Sequence, residues 1–166
     1  MKIKKVIAPI FITLLLTVID QISKYLASVK LMFCDDIMVL PGVLSLTYHE
    51  NRGAAFGLFQ GGRWFFLIFA LIIFGAIIYY YVKLPEGKVY GWIKVFLVLV
   101  LAGALGNSVD RLINGYVVDF LQFEFINFPI FNIADVYVVC GTFLLAWAIL
   151  FFVKDEPVEA KEIKDE

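Results

Sequence analysis

Apolar residues dominate four stretches of the chain, 6–27, 64–82, 92–112 and 134–153. Each has the roughly 17–25 mostly apolar residues that a helix needs to cross a bilayer. The first follows Lys2, Lys4 and Lys5 and begins like the apolar core of a secretory signal peptide. No small-residue cleavage site closes it, and Asp20 and Lys24 sit where it should end, so it reads as a retained span. The connections are unequal. That between the second and third spans is short, whereas 28–63 and 113–133 are long, and long connections in compact proteins carry function. Within them, 39–48 and 116–123 have the β-branched and aromatic content of strands, with Pro41-Gly42 as a turn. The pattern predicts one four-span domain over 1–153, a small β-sheet and loop platform at one membrane face, and a charged tail over 154–166.

Composition sharpens this. Hydrophobic residues make up 62% and charged residues 17%, with 17 Phe, 8 Tyr and 3 Trp. A soluble domain has roughly 45–50% and 25%. A soluble fold could not hide that much apolar surface, which excludes an ordinary soluble enzyme, a disordered chain and a nucleic-acid binder. Cys34 and Cys140 make no disulfide framework, and each reads as a small hydrophobe. Basic residues fall mainly before the first span, between spans two and three, and after span four. The long connections hold only Lys30, Arg52 and Arg63. By the positive-inside rule both termini are cytoplasmic and the long loops lie outside.

Ionisable and amide groups within the apolar chain are the default functional candidates. Asp20 and Lys24, then Asn107, Asp110 and Arg111, then Asp119, then Asn132 and Asp135, all fall at or just beneath the outer surface. Several have ordinary readings. Asp20 and Lys24 have i,i+4 spacing and suit a plain helix pair. Asp110 opposes the dipole at a helix end and wants Lys24 or Arg111 as its partner. Asn132 with Asp135 fits a capping box. Asp119 has no such reading, because it interrupts an apolar run with no basic residue nearby. No Lys, Arg or His separates Asp119 from Asp135. If the loop folds them together they cannot both ionise, and such a pair holds an acid and a base at neutral pH.

Other hydrolytic chemistries fit less well. There is no G-x-S-x-G, and Ser23 and Lys24 are neighbours about 100° apart on a helix. His49-Glu50 fails H-E-x-x-H because position 53 is glycine. His49 reads as a surface loop residue. Mg²⁺ or Ca²⁺ on the carboxylates is left open, but no ligand spacing supports it, and neither a metal nor a cofactor is expected. Asn51-Arg52-Gly53-Ala54-Ala55-Phe56-Gly57 suits either a tight turn before span two or the wall of a groove for an extended peptide.

Taken in order, Asp20-x-x-x-Lys24, Asn51-x-Gly53-Ala54-Ala55-Phe56-Gly57, Gly106-Asn107-x-x-Asp110-Arg111, Val117-Val118-Asp119-Phe120 and Phe131-Asn132-x-Ala134-Asp135 resemble the motifs of the lipoprotein signal peptidases, or signal peptidase II. The resemblance spans 20–135 and implies a bacterial aspartyl endopeptidase of the cytoplasmic membrane, inhibited by globomycin. Such an enzyme removes the signal peptide of a prolipoprotein just before its diacylglyceryl-modified cysteine, at the outer face. It implies Asp119 and Asp135 as the catalytic pair. Asp20, Lys24, Asn51, Gly53, Ala54, Asn107, Asp110, Arg111 and Asn132 would bind substrate or support the site. The implied partners are lipid-modified signal peptides and membrane lipid, with the chain a monomer and no nucleic acid bound. The residues alone leave a second reading, a small ion- or proton-coupled transporter. The inner halves of the spans lack the charged relay it would need, and no internal repeat is visible.

Overall fold

A computed structural model describes residues 4–53 and 59–153. Four helices carry most of them: α1 Lys4–Leu31, α2 Arg63–Lys83, α3 Lys88–Ile113 and α4 Ile133–Phe151. All four are long and apolar enough to cross a membrane. α1 and α3 extend past the stretches expected from hydropathy. Lys24, Ser28 and Lys30 end the apolar pattern but not the helix, since lysine is a good helix former and the Ser28 hydroxyl bonds back to the Lys24 carbonyl at 2.9 Å. The tail over 154–166 lies outside the described residues.

Three strands, β1 Ile37–Leu40, β2 Leu44–Asn51 and β3 Val117–Phe123, form one antiparallel sheet in the order β1-β2-β3. A tight turn with Gly42 at φ 71° joins β1 to β2, a conformation glycine adopts without penalty. Both long connections thus contribute to one sheet, as expected. His49 differs from its loop reading: it lies on β2, exposed, opposite Asp119 of β3.

α3 is the central helix and touches α1, α2, α4 and β3. Two apolar clusters hold the ends of the bundle. Ala27 and Leu31 of α1 pack beneath Val118 and Phe120 of β3 and seat the sheet. At the far end Ile77, Ile93, Leu97 and Ala148 join α2, α3 and α4. The outward faces stay apolar, with Ile68, Phe69, Leu71 and Ile72 of α2 all exposed, as a helix facing lipid requires. Where α3 crosses α4, Gly103 faces the Ala134 carbonyl and Gly106 faces the Asp20 carboxylate, with no room for a Cβ at either. These approaches bring the ends of α1, α3 and α4 into contact at the sheet end, where the polar residues lie.

Candidate active site

The polar residues of the sequence converge there. Asp20, Lys24, Asp110, Asp119 and Asn132 are each at most 3% exposed. Burying so much charge is costly unless every group is paired and hydrogen-bonded, and the partners are present. The Lys24 ammonium lies 2.9 Å from Asp20 Oδ2 and 3.1 Å from Asp110 Oδ2, and donates to Asn107 Oδ1 at 2.9 Å. Asp20 is more than half of a helix pair: its Oδ1 accepts the Ala134 backbone N–H at 2.9 Å, tying α1 to the start of α4. Asp110 has Lys24, not Arg111, as its cation, and its Oδ2 accepts the Val118 N–H at 3.1 Å, tying α3 to β3.

Asn132 caps α4 as expected. Its Oδ1 accepts the Asp135 N–H at 2.9 Å, and Asp135 Oδ2 accepts the Asn132 N–H at 3.2 Å. The rest of the Asn132 side chain faces the other aspartate: Nδ2 donates to Asp119 Oδ1 at 2.6 Å and to Asn107 Oδ1 at 3.2 Å. Asn51 supplies a second amide, Nδ2 to Asp119 Oδ2 at 2.9 Å, while the Gly53 backbone N–H on its Oδ1 fixes which way it points. Asn107 Nδ2 donates to Asp135 Oδ1 at 2.7 Å. Three asparagines from three parts of the chain therefore hold two carboxylates on one cleft of about 470 Å³.

Phe123, Phe128 and Phe131 form an aromatic wall on that cleft, with ring centroids 5.0–5.8 Å apart. Arg111 and Gly53 line it too. The Arg111 guanidinium donates to the Gly53 carbonyl at 3.1 Å and lies 4.5 Å from the Phe66 ring centroid. Ala54 lies outside the described residues. Every other residue expected at the site lies in this network.

Burial, and then the charge of Asp135, push the Asp119 carboxyl up to about 7. An unfolded aspartate loses its proton near pH 4. Between those values the unfolded chain has released a proton that the folded chain still holds, so stability falls as pH rises and levels off above about 7. Thermal unfolding should show this decline in the wild type and a flatter dependence in Asp119→Asn. Equal slopes would count against the raised value.

The sequence reading passed over Gln21. Its Nε2 donates to Asp110 Oδ1 at 2.9 Å and to the Gly106 carbonyl at 3.2 Å. A polar amide next to Asp20 in an apolar run was the available signal. Ser23 is not paired with Lys24, since its hydroxyl donates to the Asp20 carbonyl at 2.6 Å. Both cysteines are exposed and unbridged, and Cys140 lines the cleft.

The family model described as signal peptidase II matches residues 12–151. A lipoprotein signal peptidase of Streptococcus thermophilus (strain CNRZ 1066) is 40% identical over 153 residues, 92% of this chain and 96% of that one. One of Clostridioides difficile (strain 630) is 43% identical over 145 residues, 86% and 95% of the two chains. A solved bacterial membrane enzyme structure superposes with a TM-score of 0.81 at 35% identity, over 93% of this chain and 96% of the other. A second gives 0.79 at 36% identity, over 89% and 95%. Matched over most of its length by that model and by these relatives, the chain belongs to the signal peptidase II family of peptidases.

Proposed function

We propose that the protein cuts the signal peptide from diacylglyceryl-modified prolipoproteins, with Asp119 and Asp135 as an aspartyl dyad. The observation that carries this is the pair of carboxylates on one cleft, each held by amides, with Asp119 able to keep a proton near neutrality. In this mechanism the ionised aspartate takes a proton from a water lying between the two. The water oxygen bonds to the scissile carbonyl carbon, and the protonated aspartate gives its proton to the carbonyl oxygen. The resulting diol collapses, the C–N bond breaks, and the leaving nitrogen takes a proton from the dyad. The products are a new carboxylate on the signal peptide and a free amine on the lipidated cysteine.

The amides fix the aspartates before substrate arrives, so little reorganisation is needed during reaction. The apolar aromatic wall suits a substrate that is itself membrane-bound. A purified sample should cleave a lipidated precursor in detergent and leave the unlipidated form intact. Equal cleavage of both would overturn the substrate assignment. A transport role is set aside, because the family is one of peptidases. The end of the bundle opposite the sheet also brings no carboxylate of α1–α4 among the described residues.

In the proposed orientation the dyad faces the outside of the cytoplasmic membrane and both termini are cytoplasmic. The lysine distribution supports this, and α1 begins and α4 ends at the side away from the sheet. A reporter fused after Val153 or inserted at 85–87 should read as cytoplasmic, and one near Leu40 as exterior. An exterior signal from the Val153 fusion would place the dyad on the wrong side.

A further inference from the structure

Resting on the dyad reading, we infer that Asp135 is the aspartate that takes the proton from water, that Asp119 starts protonated, and that Lys24 imposes this asymmetry through the amide of Asn107.

The two carboxylates have unlike surroundings. Asp135 is the third residue of α4, where free N–H groups and the helix dipole favour an anion. It accepts one backbone N–H, from Asn132, and one amide N–H, from Asn107. Asp119 lies within β3, outside the first turn of α4, and accepts only the side-chain amides of Asn132 and Asn51. Of the two, Asp135 is therefore better placed to carry the negative charge. The high value at Asp119, caused by burial and then by the charge of Asp135, agrees.

Asn107 supports this only in one of its two amide orientations. Turned over, it would present its oxygen to Asp135 and repel the carboxylate. Lys24, with the Asn132 amide that donates to the same oxygen, removes that choice. An ammonium has three N–H donors, and Lys24 uses them on Asp20, Asp110 and Asn107 Oδ1. The third holds Oδ1 on the α1 side, which leaves Nδ2 facing Asp135. Lys24 hydrogen-bonds to neither catalytic carboxylate, although its charge bears on both, and through Asn107 it acts as a positioning residue. The other charged groups facing the pair are Asp20 from α1, Asp110 and Arg111 from α3, and His49, exposed on β2 opposite Asp119. Arg111 bears on both aspartates and does not choose between them.

The test is the pH profile of kcat/KM for cleavage of a lipidated precursor by purified variants. Asn107→Ala strips a donor from Asp135, and Asn51→Ala strips one from Asp119. A hydrogen bond to a charged group corresponds to about one to two pH units. Asn107→Ala should move the acid limb up by about one unit and leave the alkaline limb in place. Asn51→Ala should move the alkaline limb up and spare the acid limb. Lys24→Met combined with Asp110→Asn leaves the net buried charge unchanged and should move the acid limb up as Asn107→Ala does. Adding Asn107→Ala to that pair should move it little further if Lys24 acts through Asn107, whereas fully additive shifts would mean that Lys24 acts by its charge alone.

The opposite pairing of limbs with variants would overturn the assignment. A Lys24→Met/Asp110→Asn protein with lowered thermal stability and unmoved limbs would remove Lys24 from it. If instead Asp119→Asn or Asp135→Asn retains turnover, the dyad reading itself fails. Where a variant is too slow for a profile, the infrared band of the protonated carboxyl in resting protein at about pH 6 decides. Asn51→Ala should shift its frequency and Asn107→Ala should not, and the reverse result overturns the assignment.

Discussion

Asp119→Asn and Asp135→Asn are each expected to abolish cleavage of a lipidated precursor while the protein still accumulates folded in the membrane. Asparagine keeps the size and polarity of each side chain, so the loss isolates the proton chemistry. General acid–base catalysis is typically about 10²–10⁴-fold, and here one proton serves both steps, so removing either carboxyl removes the whole cycle. The Asp135 substitution leaves an amide oxygen able to accept the Asn132 N–H, so most of the cap at α4 survives. The Asp119 substitution removes a buried carboxyl that is costly to ionise. Neither change should stop the protein from folding. Turnover above roughly a tenth of wild type, well outside that catalytic range, would remove the residue from the dyad.

Reversing the buried pair, Asp20→Lys with Lys24→Asp, should have the next largest effect, on stability as well as rate. An exposed i,i+4 pair would tolerate the exchange, being worth about 0.3–0.5 kcal/mol. This pair is buried, and its further partners are not symmetric. A lysine at 20 has no oxygen for the Ala134 N–H, and its longer chain meets Gly106, which leaves no space there. An aspartate at 24 would face Asp110 without the ammonium that now pairs with it, and Asn107 Oδ1 would lose one of its two donors. Breaking a buried ion pair typically costs about 3–5 kcal/mol. Thermal unfolding and cleavage measured in parallel should both fall sharply. Wild-type rates with unchanged unfolding would reduce Asp20 and Lys24 to an ordinary helix pair.

What the sequence made legible follows from the range of each signal. Hydropathy acts over a single helix, so all four spans were readable, with bounds that fell short where polar and charged residues prolong α1 and α3 beyond their apolar stretches. Alternation acts over a single strand, so β2 and β3 were anticipated. Their register, which sets His49 opposite Asp119, depends on pairing across the chain and was not. Of the site, the capping role of Asn132 was local and readable. The partner of Asp110 was left between Lys24 and Arg111, because the contact with Lys24 joins α1 to α3. Gln21 was missed because an uncharged amide raises no alarm in a scan for charge, yet its bonds to Asp110 and Gly106 are as distant in sequence as those of Lys24.

The capping box at α4 has a consequence for how this enzyme can come apart. Asp135 is at once a member of the proposed dyad and the residue whose carboxylate closes the first turn of its helix. Fraying that turn by one residue withdraws the Asn132 N–H, releases the Asn132 amide from Asp119, and dissolves the catalytic constellation in the same motion. Local opening and loss of activity become one event, governed by one free energy. Hydrogen exchange at the Ala134 and Asp135 amides would report the fraction of molecules that are inactive at any instant, without a substrate in the tube.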